Sequence, residues 1–444
     1  MFAAVSSPAL QFGGQQLSSS IGRKRSNLKV ESLRSIWRHP DELCPMVRLK
    51  LASIASEMQI PAEPRHWQIC YSMLAKLEGR LVLIHHLHPH VRDAICIFYL
   101  VLRALDTIED DTSIAAEIKL PLLQSFHSHI RDKERSFSCG TKDEKVLMEE
   151  FHHVSAAFLD LDPRYQEIIE EIAKRMGEGM AKFICKKIDT LDEYDEYCYY
   201  VAGLVGIGMA KVLHVSGKEE LVSDDISEAM GVLGQKLDII TDYLDDINAM
   251  PTARMFWPRQ IWSKYVDKLE DLKEERNSAK ALFCLNEMVT NALVHVESSL
   301  NQISSLRDPA YIQFYAIVQV IIFRTLALCY NNIQVFNGTG INLRGGIAAK
   351  LFYKTRTKSD VYQAFYDISY MLKSKVDSND PNAGETHERL DAIIKICRNL
   401  GTIKERKSFT SIPNNLQAIS TLVLLLSVIF VIPIRGLIMH LRPF

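Results

Sequence analysis

The stretch Ile95-Cys-Ile-Phe-Tyr-Leu-Val-Leu-Arg-Ala-Leu-Asp-Thr-Ile-Glu-Asp110 places an acidic pentad directly after an apolar run. A second pentad, Asp242-Tyr-Leu-Asp-Asp246, follows the apolar pair Ile239 and Ile240. Both pentads read D-x-x-[DE]-D, and helical residues four apart project from the same face. Carboxylates in apolar surroundings are costly unless they are paired or bound to a metal. Two such pentads therefore favour a pair of metal-binding faces over a pair of solvated acidic faces.

Oxygen ligands from two facing helices suit Mg²⁺ that is shared with the phosphates of a substrate. A metal of this kind turns a diphosphate into a leaving group, and a dry apolar cavity protects the carbocation that remains. An isoprenyl diphosphate is the natural substrate for such a site. Arg103 lies three residues before Asp106 and is expected either to receive the diphosphate or to form an ion pair with Asp106, and both can hold together.

The composition sets broad limits on the class of protein. The chain has 444 residues, of which 47% are hydrophobic and 24% charged, so it can bury a large core. The formal net charge of −2 gives no indication of nucleic-acid binding. Nine cysteines are scattered without a C-x-x-C pair, which is typical of a reduced compartment and argues against a disulfide scaffold or a zinc site.

From residue 32 to residue 408 the hydrophobic pattern is helical almost throughout, as in Ile168-Ile-Glu-Glu-Ile-Ala-Lys-Arg-Met176. Period-two alternation is nearly absent. Several prolines, among them Pro121, Pro163 and Pro309, are expected to fall between helices rather than inside them. The pattern predicts one all-α domain over residues 32–408.

The two ends of the chain differ from this domain. Residues 1–31 resemble an organellar transit peptide, because the first thirty residues hold six serines, a basic cluster and no acid; a disordered extension is the equal alternative. Residues 416–434 form an uncharged run rich in Leu, Val and Ile, long enough to span a bilayer as a C-terminal transmembrane helix. The alternative is a buried core helix, which the lack of an amphipathic stripe disfavours.

Several longer motifs resemble those of eukaryotic squalene synthases, with the plant enzymes most similar. The resemblance runs from about residue 38 to the C-terminus, in family order and at family spacing. Besides the two pentads, the motifs are Arg175-Met-Gly-Glu-Gly-Met-Ala-Lys182, Tyr197-Cys-Tyr-Tyr-Val-Ala-Gly-Leu-Val-Gly206, Arg254-Met-Phe-Trp-Pro258 and Thr325-Leu-Ala-Leu-Cys-Tyr-Asn-Asn332.

The resemblance implies a single all-α domain of the isoprenoid-synthase type with a central cavity. It implies head-to-head condensation of two farnesyl diphosphates to presqualene diphosphate, and reduction by NADPH to squalene. It further implies a monomer on the endoplasmic reticulum membrane, anchored by the C-terminal helix with its catalytic domain in the cytosol. No nucleic acid is expected as a partner.

The roles of individual residues also follow from the resemblance. The expected Mg²⁺ ligands are Asp106, Glu109 and Asp110 at one diphosphate, and Asp242 and Asp246 at the other. Tyr197 and Arg103 are the expected catalytic residues, Arg103 and Arg344 the cofactor contacts, and Tyr99, Phe314 and Gln319 the substrate-pocket residues.

Departures from the family pattern concentrate at phosphate and cofactor contacts. Glu78 falls where the family has an arginine, and Thr241 replaces the arginine that precedes the second pentad. A basic pair of the cofactor segment is reduced to Arg344, whereas Arg324 replaces a small residue in an apolar helix. These changes support a second hypothesis, a paralog that is catalytically impaired or stops at presqualene diphosphate, unless Arg80 or Lys236 compensates.

Two further alternatives remain open on the sequence. One is a non-reducing enzyme similar to phytoene synthase, which the plastid-like residues 1–31 would favour. The other is a protein that binds prenyl diphosphates without catalysis, for which Glu78 and Thr241 are the best support.

Overall fold

The computed structural model describes residues 39–78, 81–249, 255–338, 341 and 343–403. Within these ranges the chain folds into α-helices joined by short loops and 3₁₀ turns, without a strand, which confirms the all-α prediction. The predicted extension and membrane span, residues 1–31 and 416–434, lie outside the described residues. The α-helices are α1 Pro40–Met58, α2 Arg65–Glu78, α3 Leu81–Ile84, α4 Pro89–Asp110, α5 Ala116–His129, α6 Lys142–Glu149, α7 Phe151–Leu159, α8 Pro163–Phe183, α9 Leu191–Cys198, α10 Leu204–Val215, α11 Asp224–Thr241, α12 Tyr243–Ile247, α13 Arg259–Trp262, α14 Ser278–Ala292, α15 Val296–Ser305, α16 Pro309–Cys329, α17 Gly345–Lys354, α18 Lys358–Lys373 and α19 Ala383–Leu400.

Prolines begin several of the long helices: Pro163 and Pro309, which were expected between helices, are the first residues of α8 and α16. The carboxylates of Asp162 and Asp308 precede them and accept hydrogen bonds from the backbone N–H groups of Arg164 and Ala310. Proline suits the first helical turn because its missing N–H would have no partner there, and an aspartate cap satisfies one of the N–H groups that remain. These local rules explain where α8 and α16 start.

Pro121 is an exception, and its predicted place between helices is wrong. It lies inside α5, where it removes one backbone hydrogen bond. Tertiary packing offsets the loss, because Leu123 and Phe126 of the same helix are fully buried. α5 approaches α8 so closely that a Cβ on Gly177 would lie 2.2 Å from the carbonyl oxygen of Leu123.

The longest apolar helices form the centre of the domain. Leu191–Val215 and Pro309–Cys329 are each long and apolar enough to cross a membrane, yet 67% and 83% of their most apolar windows are buried inside the protein. Burial of that extent is expected of core helices in a large domain. Beside them, α4 carries the first acidic pentad, and the junction of α11 and α12 carries the second.

A π-helical segment, Tyr199–Gly203, joins α9 to α10. Its turns contain one residue more than α-helical turns, so side chains four or five apart come closer to alignment. Tyr197, Val201 and Val205, spaced four residues apart across this segment, all line the same cavity. The widened turn therefore keeps one face of the α9–α10 rod directed at the candidate site.

Candidate active site

Both acidic pentads face one cavity. Asp106, Glu109 and Asp110 reach its wall from α4, and Asp242 and Asp246 reach it from the junction of α11 and α12. The spacing argument from the sequence thus agrees with the structure, in which five carboxylates from two separate helical units surround one space. Their role as metal ligands stays a prediction.

The second pentad spans a break between two helices rather than lying within one. α11 ends at Thr241, and Asp242 joins it to α12 with φ −92° and ψ 7°. The hydrogen-bond pattern nevertheless continues, because the N–H of Asp242 donates to the carbonyl of Asp238 at 2.8 Å and that of Asp246 donates to Asp242 at 2.9 Å. Asp238, Asp242 and Asp246 therefore follow one another at four-residue intervals along the cavity wall.

Asp238 is a cavity carboxylate that the sequence reasoning missed. Its residue is buried, with 7% of its surface exposed. The available indication was its position four residues before Asp242, which extends the spacing of the pentad upstream by one turn. With Asp238 included, the second wall presents three carboxylates in a row, as does the first wall.

Tyr197 contacts the first pentad directly. Its hydroxyl donates a hydrogen bond to Oε1 of Glu109 at 3.3 Å, and both residues are buried. The tyrosine ring stacks on Phe256, with 4.7 Å between centroids and 14° between planes. Phe256 also lines the cavity and was not singled out from the sequence. The ring is thus held in place while its hydroxyl faces the carboxylates.

Two cations lie beside the first pentad. Arg103 and Tyr99 line the cavity, and Nε of Arg103 donates to the hydroxyl of Tyr99 at 3.3 Å. Lys119, which the sequence analysis did not identify, is buried, and its Nζ donates to the backbone carbonyl of Glu109 at 2.7 Å. These positive charges lower the cost of holding three carboxylates together.

The carboxylate of Asp111, directly after the first pentad, already accepts hydrogen bonds from within the protein. One carboxylate oxygen accepts the N–H of Ser113 and the other accepts the N–H of Gly140, both at 2.9 Å. Burial raises the pKa of Asp111, but the hydrogen bonds from Ser113 and Gly140 outweigh it and hold that pKa below its usual value. Asp111 therefore secures the loop that follows α4 and does not line the main cavity.

Apolar side chains complete the wall. They line the cavity together with the two carboxylate rows and belong to α4, α8, the π-helical segment, α10 and α11. The residues are Leu102, Met176, Val201, Val205 and Ile239.

The remaining predicted site residues lie away from this wall. Phe314 and Gln319 are buried in the core around α16, where Nε2 of Gln319 donates to the carbonyl of Ser299 at 3.2 Å. Neither residue is among those that line the cavity described above, and their assignment to the substrate pocket stays a prediction. Arg344 lies before α17, and its Nη2 contacts Oε1 of Glu42 at 2.7 Å. Its cofactor role stays a prediction.

Lys236 does not replace the missing arginine, and the suggestion that it could is wrong. Its residue is 1% exposed, and Nζ contacts Oδ1 of Asp195 at 2.6 Å and Oδ1 of Asn291 at 2.7 Å. Adjacent residues of a helix point about 100° apart, and it is Gln235, not Lys236, that lines the cavity.

At the site of the missing arginine, the hydroxyl of Thr241 donates to the carbonyl of Asp238 and lies 3.2 Å from Oδ1 of Asp242. Thr241 is therefore placed to orient the second pentad. Arg80 and the side chain of Glu78 lie outside the described residues.

Comparison with known proteins agrees with this geometry. The model of the squalene/phytoene synthase family matches residues 78–344. The chain therefore belongs to this family of all-α synthases. Within it, the chain is 58% identical over 402 residues to squalene synthase 2 of Panax ginseng, a match that covers 90% of this chain and 96% of the relative. It is 59% identical to the squalene synthase of Solanum lycopersicum over 85% of this chain and 92% of the relative.

A solved structure, a complex of TcSQS with the ligand BPH1237, has the same fold. It superposes with a TM-score of 0.73 at 38% sequence identity, covering 75% of this chain and 98% of the other. The plant relatives and this structure both support the resemblance to plant-type squalene synthases seen in the sequence.

Proposed function

We propose that the chain is a transferase that condenses two farnesyl diphosphates head to head, gives presqualene diphosphate, and reduces it with NADPH to squalene. The observation that carries this proposal is the pair of carboxylate rows on the walls of one cavity that apolar side chains also line. High identity to plant squalene synthases over most of the chain supports the same reaction. The impaired-paralog, non-reducing and non-catalytic alternatives are not favoured by these relatives.

The donor atoms fit a hard divalent cation. Carboxylate oxygens dominate both rows, and the cavity lining includes neither cysteine nor histidine among the described residues. Such a set suits Mg²⁺ rather than zinc or copper. Asp106, Glu109 and Asp110 would hold it at one diphosphate, and Asp242 and Asp246, with Asp238 behind them, at the other. Bound Mg²⁺ would supply charge neutralisation of the diphosphate leaving group.

The chain's own residues then account for the first condensation. The diphosphate leaves with the electron pair of the C–O bond, and the double bond of the second substrate attacks the resulting carbon. Arg103 provides positive charge near the departing group, and the apolar wall excludes water from the cation. Closure of the cyclopropane releases a proton. Tyr197 can accept it while passing its own hydroxyl proton to Glu109, 3.3 Å away.

The reductive half requires a hydride, which NADPH supplies when bound. Arg103 reaches the cavity itself, so it is the better supported of the two proposed cofactor contacts. Arg344 would act from outside the cavity, where its guanidinium already contacts Glu42. Its remaining N–H groups are available for a phosphate in this proposal.

The proposed location is the endoplasmic reticulum membrane, with residues 416–434 as the anchor and the catalytic domain in the cytosol as a monomer. A plastid address through residues 1–31 is the alternative, and a fluorescent fusion of the full chain distinguishes the two.

A direct assay tests the reaction. The full chain, purified in detergent, is incubated with farnesyl diphosphate, Mg²⁺ and NADPH, and we expect squalene. Presqualene diphosphate without squalene would place a defect in the reductive half. Absence of any Mg²⁺-dependent diphosphate release would overturn the proposal in favour of a binding protein.

A further inference from the structure

Three cations meet where α16, α17 and α18 pack together. We call Arg324, Arg344 and Lys375 the cation seam. Two contacts tie α16 to the end of α18: Nη1 of Arg324 touches Sδ of Met371, and Nζ of Lys375 donates to the carbonyl of Ala327 at 2.7 Å. Ala327 lies three residues after Arg324, and Lys375 four after Met371. These parallel contacts therefore bring Arg324 and Lys375 side by side.

The third cation comes from the start of α17. Ile317, Ile321, Arg324 and Leu328 share one face of α16 by their spacing. The isoleucines belong to a separate buried cluster with Leu343, against which Leu328 also packs. Arg324 is thus flanked by residues that pack against the chain beside Arg344. The face of α16 that carries Arg324 is therefore the face turned toward Arg344.

Only one member of the seam has a carboxylate contact among the residues that the structure describes. Arg344 contacts the buried carboxylate of Glu42. The contacts of half-buried Arg324 and Lys375 are the Met371 sulfur and the carbonyls of Ala327 and Tyr330. Burial lowers the pKa of both groups, and each also feels a neighbouring arginine, Arg344 for Arg324 and Arg324 for Lys375. Half-buried cations that have no carboxylate partner among the described residues cost stability.

A cluster of positive charges with this cost suits a bound anion, because the negative charge of the anion offsets the repulsion between the cations. Guanidinium groups bind phosphate oxygens through paired N–H donors, and a lysine adds a point charge. We infer that the cation seam of Arg324, Arg344 and Lys375 is a binding site for a phosphate group, separate from the carboxylate cavity. The 2′-phosphate of NADPH, a phospholipid headgroup and free phosphate share this chemistry. Of these three ligands, only NADPH depends on the proposed function.

The test measures phosphate binding by the full chain in detergent, without farnesyl diphosphate. Wild type, Arg324→Met and Lys375→Met are each titrated with inorganic phosphate. Calorimetry measures the binding, and thermal unfolding is compared between phosphate and chloride at equal ionic strength. Methionine keeps the aliphatic bulk and removes the charge. We expect wild type to bind phosphate and each variant to bind it at least about tenfold more weakly.

Lys373→Met is the matched control, because Lys373 is a lysine of the same helix end that contacts Asp391 at 2.5 Å instead of the seam. It should bind phosphate as wild type does. No phosphate-specific effect on wild type, or unchanged binding by a folded Arg324→Met variant, would overturn the site. Neither result depends on squalene formation, so failure of the site is distinguishable from failure of the proposed reaction.

Competition then identifies the source of the phosphate. Displacement of inorganic phosphate by NADPH but not by NADH indicates the 2′-phosphate. Displacement by phosphatidic acid vesicles but not by phosphatidylcholine vesicles indicates a lipid headgroup. If neither displaces it, free phosphate is the ligand.

Discussion

The carboxylate cavity and the cation seam are opposite in charge and similar in construction. In the cavity, Asp238, Asp242 and Asp246 repeat along one wall and face the first pentad. In the seam, Arg324 and Lys375 lie side by side without a carboxylate among the described residues. Each region keeps like charges together at a cost in stability, and each becomes favourable when a ligand of opposite sign binds. The comparison teaches that clustered like charge, rather than its sign, distinguishes a binding site from the balanced ion pairs elsewhere.

The largest effect is expected from a change in the carboxylate cavity. Asp242→Asn should lower the turnover of farnesyl diphosphate on the order of 10³-fold, because one metal-directed carboxylate is lost. Its control is Asp245→Asn, three residues along in the same pentad, because Asp245 is exposed like Asp242 but does not line the cavity. Equal losses in the two variants would contradict the assignment. Steady-state kinetics over a range of Mg²⁺ concentrations provides the measurement.

Removing the tyrosine hydroxyl tests whether the cavity also moves a proton. Tyr197→Phe should slow formation of presqualene diphosphate on the order of 10²-fold, because the contact with Glu109 is lost. Tyr194→Phe is the matched control, since Tyr194 lies one turn earlier and its buried hydroxyl has no hydrogen-bond partner among the described residues. The midpoint of thermal unfolding should change little in either variant. A similar rate loss in both would indicate a packing role for Tyr197.

The seam should respond to charge removal with higher stability. Without phosphate, Arg324→Met should raise the free energy of unfolding by about 1 kcal/mol, because an uncompensated half-buried cation is replaced by an apolar side chain. Denaturant unfolding checks the change. Saturating phosphate should stabilise wild type and remove the difference in the free energy of unfolding between wild type and Arg324→Met. Destabilisation by Arg324→Met in the absence of phosphate would show that the guanidinium is already compensated.

The smallest expected effect is a pH dependence at Lys375. Burial and the neighbouring Arg324 lower its pKa below the ordinary 10.5, so the folded chain releases this proton at a lower pH than the unfolded chain. The unfolded chain therefore binds more protons in that window, and stability from this group rises with pH until about 10.5. We expect Lys375→Met to have a higher free energy of unfolding than wild type at pH 8, because it removes a half-buried charge, and this difference should narrow from pH 8 to pH 10.5. A constant difference would contradict the burial of a charged lysine.

Sequence patterns predicted the helical class and the shared face of the carboxylates within each pentad, because both follow from spacing along a helix. The convergence of the two pentads on one cavity was implied by the resemblance to a known family. Sequence patterns did not predict the direction of Lys236, since that depends on how α11 rotates against its neighbours, and Asp195 and Asn291 were far away in the chain. Phe256 was missed for the same reason, because only the fold brings it against Tyr197. Asp238 could have been found from the spacing, because it lies four residues before Asp242. It was missed because it is not part of the repeated motif.

The π-helical segment Tyr199–Gly203 has a consequence for how this chain tolerates changes in length. Deleting one residue there would convert the segment into an ordinary α-helical turn, and the helix downstream would keep nearly its present rotation, because the residue removed is the extra one that the wider turn holds. A uniform α-helix has no such reserve, since removing one of its residues rotates every side chain downstream by about 100°. A change in length that would turn Val205 away from the cavity in a uniform helix is therefore expected to be tolerated at this segment. Engineered deletions in the α9–α10 rod should be placed here.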